Sequence, residues 1–211
     1  MKPFDGGQWV GVSRVGSPEE LRARYDESGE RMMHLQTALE DFDVPCVSVD
    51  ERHAGYVATR HLIALGHRRI GFVAGPADYL PTREKAAGRA EALFEEGLPL
   101  NGWLVHGDFT LEGGRSAARA LLSRRDRPTA VICSSDVIAI GVIQEARRIG
   151  LRIPEDLSVV GFDGIEASSW IEPPLTTIEQ PIDEIAATAI ELLQTVIDEP
   201  GRSVPRVLYQ P

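Results

Sequence analysis

Apolar residues follow two alternating patterns from about residue 44 to the end of the chain. Short apolar runs predict strands over residues 44–49, 70–74, 104–106, 130–133, 157–162 and 204–209. Between them, apolar positions recur at helical spacing over residues 51–65, 82–96, 111–123, 137–149 and 182–197. The short runs barely alternate with polar residues, which is typical of strands buried on both faces of a parallel sheet. The pattern therefore predicts an α/β fold with an open, doubly wound parallel sheet.

Residues 1–43 follow a different pattern. Residues 8–15 favour one strand, and Ser17 followed by Pro18 and Glu20 is a typical helix start. A helix over residues 18–39 is predicted from this start, although its apolar positions are scattered among many charges. The first 43 residues thus do not continue the regular alternation of strand and helix.

Composition and charge exclude several classes of protein. The chain has 211 residues, with 22 Lys and Arg against 32 Asp and Glu, for a net charge of −10. An acidic chain repels phosphate backbones, so we expect no nucleic-acid binding by this chain alone. No apolar run approaches ~18 residues, so no membrane partner is expected. The two cysteines, Cys46 and Cys133, are predicted to be reduced, which together with an N-terminus lacking a signal-peptide core favours the cytoplasm.

Polar residues and glycines follow the predicted strands. They include Asp50, Gly75, Asp108, Ser135 and Asp163. Ligands of doubly wound sheets bind at the carboxyl ends of the strands, so these residues are candidates for a binding site. The alternative is that strand-end aspartates cap the following helices, and residue 136 is predicted to be such a cap.

An enzymatic function is not favoured. The sequence has no Gly-x-Gly-x-x-Gly dinucleotide motif, no phosphate-binding loop and no Gly-x-Ser-x-Gly nucleophile motif. Its five histidines are scattered without metal-ligand spacing. We therefore expect no catalytic residues, no metal site and no cofactor.

Four segments carry a specific resemblance. They are HLIALGHRRIGFVAGP at residues 61–76, PTAVICSSDVIAIG at 128–141, GLRIPEDLSVVGFD at 150–163 and PPLTTIEQP at 173–181. In this order they resemble the LacI/GalR (lactose repressor) family of bacterial transcriptional regulators. The resemblance implies a periplasmic-binding-protein-like fold of type I, in which two lobes enclose a small effector.

The resemblance also implies a division of the chain. Residues 50–181 correspond to an intact C-terminal lobe, and residues 182–211 to a helix and strand that cross back to the N-terminal lobe. Residues 1–49 form only a partial or atypical N-terminal segment, so the N-terminal lobe is expected to be incomplete. A helix-turn-helix is absent, and operator DNA would be a partner of a full-length parent protein.

The resemblance implies an effector site built from five residues: Asp163, Lys85, Arg83, Ser135 and Phe109. A carboxylate accepts hydrogen bonds from adjacent sugar hydroxyls, whereas lysine lacks the planar fork that arginine offers. The alternatives are a helix cap for Asp163, solvated helix charges for the two cations and ordinary core packing for the aromatic ring.

The family also dimerises, which implies an interface at Ile138, Ile140, Val142, Trp170 and Ile171, about half of which could instead be core. The function implied is the effector-sensing and dimerisation region of a regulator, with a sugar as the effector. The alternatives left open are a sugar solute-binding protein of the periplasmic type, an enzyme on an α/β sheet, and a folded remnant that binds no effector.

Overall fold

The computed structural model describes residues 46–100, 102–199 and 201–211, so the strand expected over 8–15 and the helix expected over 18–39 lie outside the described residues. The strands are β1 (Val47–Val49), β2 (Ile70–Ala74), β3 (Leu104–His106), β4 (Ala130–Cys133), β5 (Ser158–Asp163), β6 (Thr176–Glu179) and β7 (Val207–Tyr209). The helices are α1 (Glu51–Ala64), α2 (Leu80–Glu95), α3 (Leu111–Leu122), α4 (Asp136–Arg148) and α5 (Ile182–Asp198), with a short 3-10 helix at Glu166–Ser169.

Five strands form one sheet in the order β3-β2-β4-β5-β6, and all neighbouring pairs are parallel. The helices α1 to α4 alternate with β1 to β5 along the chain, as parallel strands require long crossovers. The expected α/β fold with a parallel sheet is confirmed. The carboxyl ends of all five strands lie at one edge, where Gly75, Asp108, Ser135 and Asp163 are found, whereas Asp50 follows β1, which is not part of this sheet.

The core has two halves because strand side chains point alternately to opposite faces. In β2 and β4, Phe72 and Ile132 pack in the half that contains residues of α1 and α2. On the other face, Val73 and Val131 pack with residues of α3 and α4. Helices therefore cover both faces of the sheet, which explains why its central strands are apolar without alternation.

A second, two-stranded sheet pairs β1 with β7 in parallel. Strand β7 belongs to the segment 182–211, which the resemblance assigns to the crossover back to the N-terminal lobe, and β1 pairs with it. Helix α5 contacts β1, and the Thr188 hydroxyl lies 2.7 Å from the hydroxyl of Tyr209 in β7. No residue of α5 is buried within the described part of the chain, and Ile190 and Leu193 are exposed.

Two interface predictions are wrong. Ile138 and Val142 lie on the inner face of α4 and are fully buried in the core with Val131 and Leu157. A side chain already buried by its own chain has no surface left for a partner. Helix α4, which follows the Ser-Ser-Asp segment, places its apolar residues toward the sheet. Helical spacing alone therefore could not distinguish interface residues from core residues.

Candidate functional site

Asp163 ends β5 at the carboxyl edge of the sheet. Its φ angle is 120°, a backbone conformation that residues other than glycine rarely adopt. Its Oδ1 accepts a hydrogen bond of 2.7 Å from Nε2 of Gln180. The following 3-10 helix is capped by Ile165 and not by Asp163, so the capping alternative does not apply. Strained residues of this kind concentrate at binding sites.

The environment of Asp163 favours its protonated form. Burial raises the pKa of the carboxyl group to about 7, against the attraction of Lys85 and the hydrogen bond from Gln180, which lower it. The negative charges of Asp136 and Glu51 raise the pKa further. A carboxyl group that ionises near neutral pH can accept or donate hydrogen bonds, depending on pH.

Asp136 holds the turn that carries Asp163. Its carboxylate is fully buried and accepts hydrogen bonds from the Thr177 hydroxyl at 2.6 Å and from the backbone N–H of Ile165 at 2.9 Å. Burial raises the pKa of Asp136, while these donors lower it. The prediction that Asp136 caps α4 is wrong: the cap is Ser135, whose hydroxyl accepts from the N–H of Ile138 at 3.2 Å. The Asp136 carboxylate, which does not cap the helix, instead binds Thr177 and the backbone of Ile165.

Lys85 lies on α2 with its ammonium group enclosed. Its Nζ is 2.5 Å from Oε2 of Glu51 and 3.8 Å from the centre of the Phe162 ring, and its side chain is only 7% exposed. Because Phe162 precedes Asp163 in β5, the ammonium also lowers the pKa of Asp163. The sequence analysis did not predict Glu51 as a site residue. The feature of the sequence that could have indicated it is its position directly after the strand-end residue Asp50.

Arg83 and Ser135 differ in what they can offer a ligand. Arg83 is exposed near the start of α2, and its side chain forms no ion pair with the described residues. Ser135 is buried and its oxygen already caps α4, which leaves its O–H available as a donor. The structure therefore brings Asp163 and Lys85 together, while Arg83 lies in solvent.

Phe109 packs at the same edge, over the end of β2. Gly75 leaves room for this ring, because a side chain at that position would overlap it. Tyr79 meets Phe109 edge to face, with ring centres 5.6 Å apart. Phe109 is half-buried and also touches the core, so its alternative assignment as core packing is partly correct.

These residues offer hydrogen-bonding and stacking groups. The carboxyl of Asp163 and the hydroxyl of Ser135 can bind polar groups, and the aromatic rings can bind an apolar face. Within residues 46–100, 102–199 and 201–211, no group of three His, Cys, Asp or Glu side chains could hold a metal ion.

A second polar feature lies on the outer side of α3 and α4. Arg115, Arg119 and Arg148 line a shallow depression with Gln144 and Glu145. The Glu145 carboxylate is 2% exposed and accepts from Arg148 at 2.6 Å, and it pairs with Arg119 at 3.2 Å. These ion pairs satisfy the buried charge and leave three cationic side chains at the surface.

The family of periplasmic binding protein-like domains matches residues 59–211. The chain belongs to this family. Among curated relatives, the HTH-type transcriptional repressor PurR of Photobacterium profundum is 41% identical over 140 residues, which are 66% of this chain and 42% of the relative. The chain thus spans about half the length of the curated relatives that it matches.

Solved structures agree with this assignment. A LacI-family regulatory protein from Chloroflexus aggregans has a TM-score of 0.76 and 34% identity, over 81% of this chain and 62% of that one. A LacI-family regulator from Enterococcus faecium, solved with bound ribose, has a TM-score of 0.77 and 28% identity, over 92% and 72%. The resemblance to the LacI family is confirmed for this periplasmic binding protein-like domain. None of the helices described for residues 46–100, 102–199 and 201–211 is long and apolar enough to cross a membrane.

Proposed function

We propose that this domain senses a sugar for a LacI-type regulator in the cytoplasm and performs no catalysis. The observation that carries the proposal is Asp163, a strained, mostly buried carboxyl group at the carboxyl edge of a parallel sheet. The likeness to a ribose-bound LacI-family regulator supports the choice of a sugar. A sugar presents adjacent hydroxyl groups, which suit a carboxylate with two acceptor oxygens.

Three residues would contact the sugar in this proposal. Asp163 accepts hydrogen bonds from ring hydroxyls, and Ser135 donates its O–H. Phe109 covers an apolar face of the sugar ring, supported by its contact with Tyr79. Hydrogen bonds to a charged group contribute roughly 1.5–3 kcal/mol each, more than neutral ones, so Asp163 dominates the affinity.

Lys85 and Arg83 are expected to contribute less to sugar binding than Asp163 does. Lys85 acts through its charge beside Asp163, because Glu51 and Phe162 already enclose its ammonium group. Arg83 is exposed, and its contact with an effector stays a prediction. Lys85→Ala is therefore expected to weaken sugar binding less than Asp163→Asn does.

A panel of ligands tests the sensing proposal. Thermal melts of the chain would be recorded with pentoses, hexoses, disaccharides and purines, each at millimolar concentration. A sugar that binds with a Kd one-hundredth of its concentration stabilises the fold by about 2.7 kcal/mol, which is readily measured. Stabilisation by purines alone would contradict the choice of a sugar, and stabilisation by no ligand would favour the folded-remnant alternative.

We further propose that the chain self-associates through Ile140, Trp170 and Ile171. Trp170 is 72% exposed, and the other two side chains are partly exposed, as an interface requires. Trp170→Lys should shift sedimentation toward a monomer. Phe94→Lys is the matched control, since Phe94 is an exposed aromatic residue at the end of α2. A monomeric wild-type chain at tens of micromolar would contradict this proposal.

A further inference from the structure

Glu51 pairs with Lys85, the cation whose charge acts on Asp163. It lies in the first turn of α1, directly after Asp50, and its side chain is 18% exposed. Its Oε2 is 2.5 Å from Nζ of Lys85, so the two form a buried ion pair. The Phe162 ring covers the ammonium group from another side at 3.8 Å. Lys85 therefore has little freedom to turn toward a ligand.

The charges around this pair are predominantly negative. The carboxyl groups of Glu51 and Asp136 each repel the charge of Asp163, and Glu51 and Asp163 share one ammonium group, that of Lys85. Burial raises the pKa of all three carboxyls, and the charge of Lys85 lowers those of Glu51 and Asp163. The positive charge of Lys85 is thus already divided between two carboxyl groups, and none remains for an anionic ligand.

We propose that Glu51 is a specificity-determining residue, which holds Lys85 so that the site accepts neutral sugars and rejects phosphorylated or acidic ones. This inference rests on the proposed function. An anionic group beside Asp163 would meet like charge in a partly dehydrated site, where electrostatic interactions are strong. It could reach Lys85 only by breaking the ion pair, which would leave Glu51 as a buried, unpaired charge.

The test compares ribose with ribose 5-phosphate by calorimetry at pH 7.5. Wild-type protein should bind ribose at least about tenfold more tightly than ribose 5-phosphate. Glu51→Gln frees Lys85, so the preference for ribose should fall about tenfold or reverse. Glu91→Gln is the matched control, because Glu91 forms an exposed ion pair with Arg52 at 3.0 Å between the same two helices. This control should keep the wild-type preference.

A double variant identifies Lys85 as the source of the effect. Glu51→Gln combined with Lys85→Met removes both charges of the ion pair, so neither partner is left as an unpaired buried charge and the fold should be retained. It should reject ribose 5-phosphate as the wild type does. The proposal is overturned if wild-type protein binds both ligands equally, if Glu51→Gln keeps the full preference, or if the double variant gains phosphate binding.

A sulfate titration separates this inference from the proposed function. If no variant binds ribose or its phosphate, ribose is not the effector, but the freed ammonium can still be detected. Sulfate should then raise the melting temperature of Glu51→Gln and leave wild-type protein and the double variant unchanged. Equal stabilisation of all three proteins, or of none, would overturn the role assigned to Glu51.

Discussion

Asp163 makes stability depend on pH. Its pKa is about 7 in the folded chain, against an ordinary value of 3.8, because burial disfavours the charge. The folded state therefore binds more protons than the unfolded state between these values, and stability falls as pH rises from about 4 to about 8. Glu51 and Asp136, whose pKa values are also raised by burial, contribute in the same direction.

Asp163→Asn should remove a large part of this dependence. The difference between the two pKa values corresponds to at most about 4 kcal/mol of unfolding free energy. Urea denaturation at pH 5 and pH 8 measures the effect. The variant should gain stability relative to wild type at pH 8 and little at pH 5. An equal effect at both pH values would show that the carboxyl group does not titrate as described.

Arg89 is a buried charged residue on α2 whose replacement should change the stability of the fold. The residue is 3% exposed, and its guanidinium donates from Nη2 to the carbonyl of Ile70 at 2.7 Å and has no partner for Nε within the described residues. Burial lowers its pKa to about 10. Arg89→Leu should therefore stabilise the fold by about 1–3 kcal/mol, since an incompletely paired buried charge is replaced by an apolar side chain. Arg83→Leu, exposed on the same helix, should change stability by less than about 0.5 kcal/mol.

At the scale of elements, the crossing of α1 and α2 holds Glu51 against Lys85. Gly55 and Gly88 allow this close approach, because a side chain at either position would overlap a backbone carbonyl of the other helix. Gly88→Ala should cost about 1–3 kcal/mol in urea denaturation, although helix propensity alone predicts a gain of about 1 kcal/mol. A measured gain would contradict the described packing.

Much of the order and bounds of the helices and strands could be predicted from the sequence. The bounds of β2, β3 and β4 agree with the expectation, and β2 and β4 are mostly apolar runs that end before Gly75 and Ser134. Strand β6 was missed. It is a short strand that pairs, among the described strands, with β5 alone, and its residues Thr176 and Thr177 form no apolar run. The partners of Asp163 were missed because Glu51 and Gln180 meet it only through the tertiary fold, which local spacing does not encode.

At the scale of the whole molecule, the net charge of −10 bears on nucleic-acid binding. Because an acidic chain repels phosphate backbones, this chain should show no sequence-specific binding to operator DNA. An electrophoretic mobility shift with operator-like and scrambled duplexes at 150 mM salt measures this. Nanomolar binding that survives higher salt and distinguishes the two duplexes would contradict the expectation.

The most direct test of the central claim is the affinity of the stabilising sugar for wild-type and Asp163→Asn protein by calorimetry at pH 6 and pH 8. Because the carboxylate is the form that accepts two hydroxyl hydrogen bonds, wild-type affinity should rise between these pH values, across the pKa of about 7. Asp163→Asn should bind about tenfold or more weakly at pH 8, a loss of ~1.4 kcal/mol or more, and show no such rise. Equal affinities of the two folded proteins at pH 8 would contradict the role of Asp163.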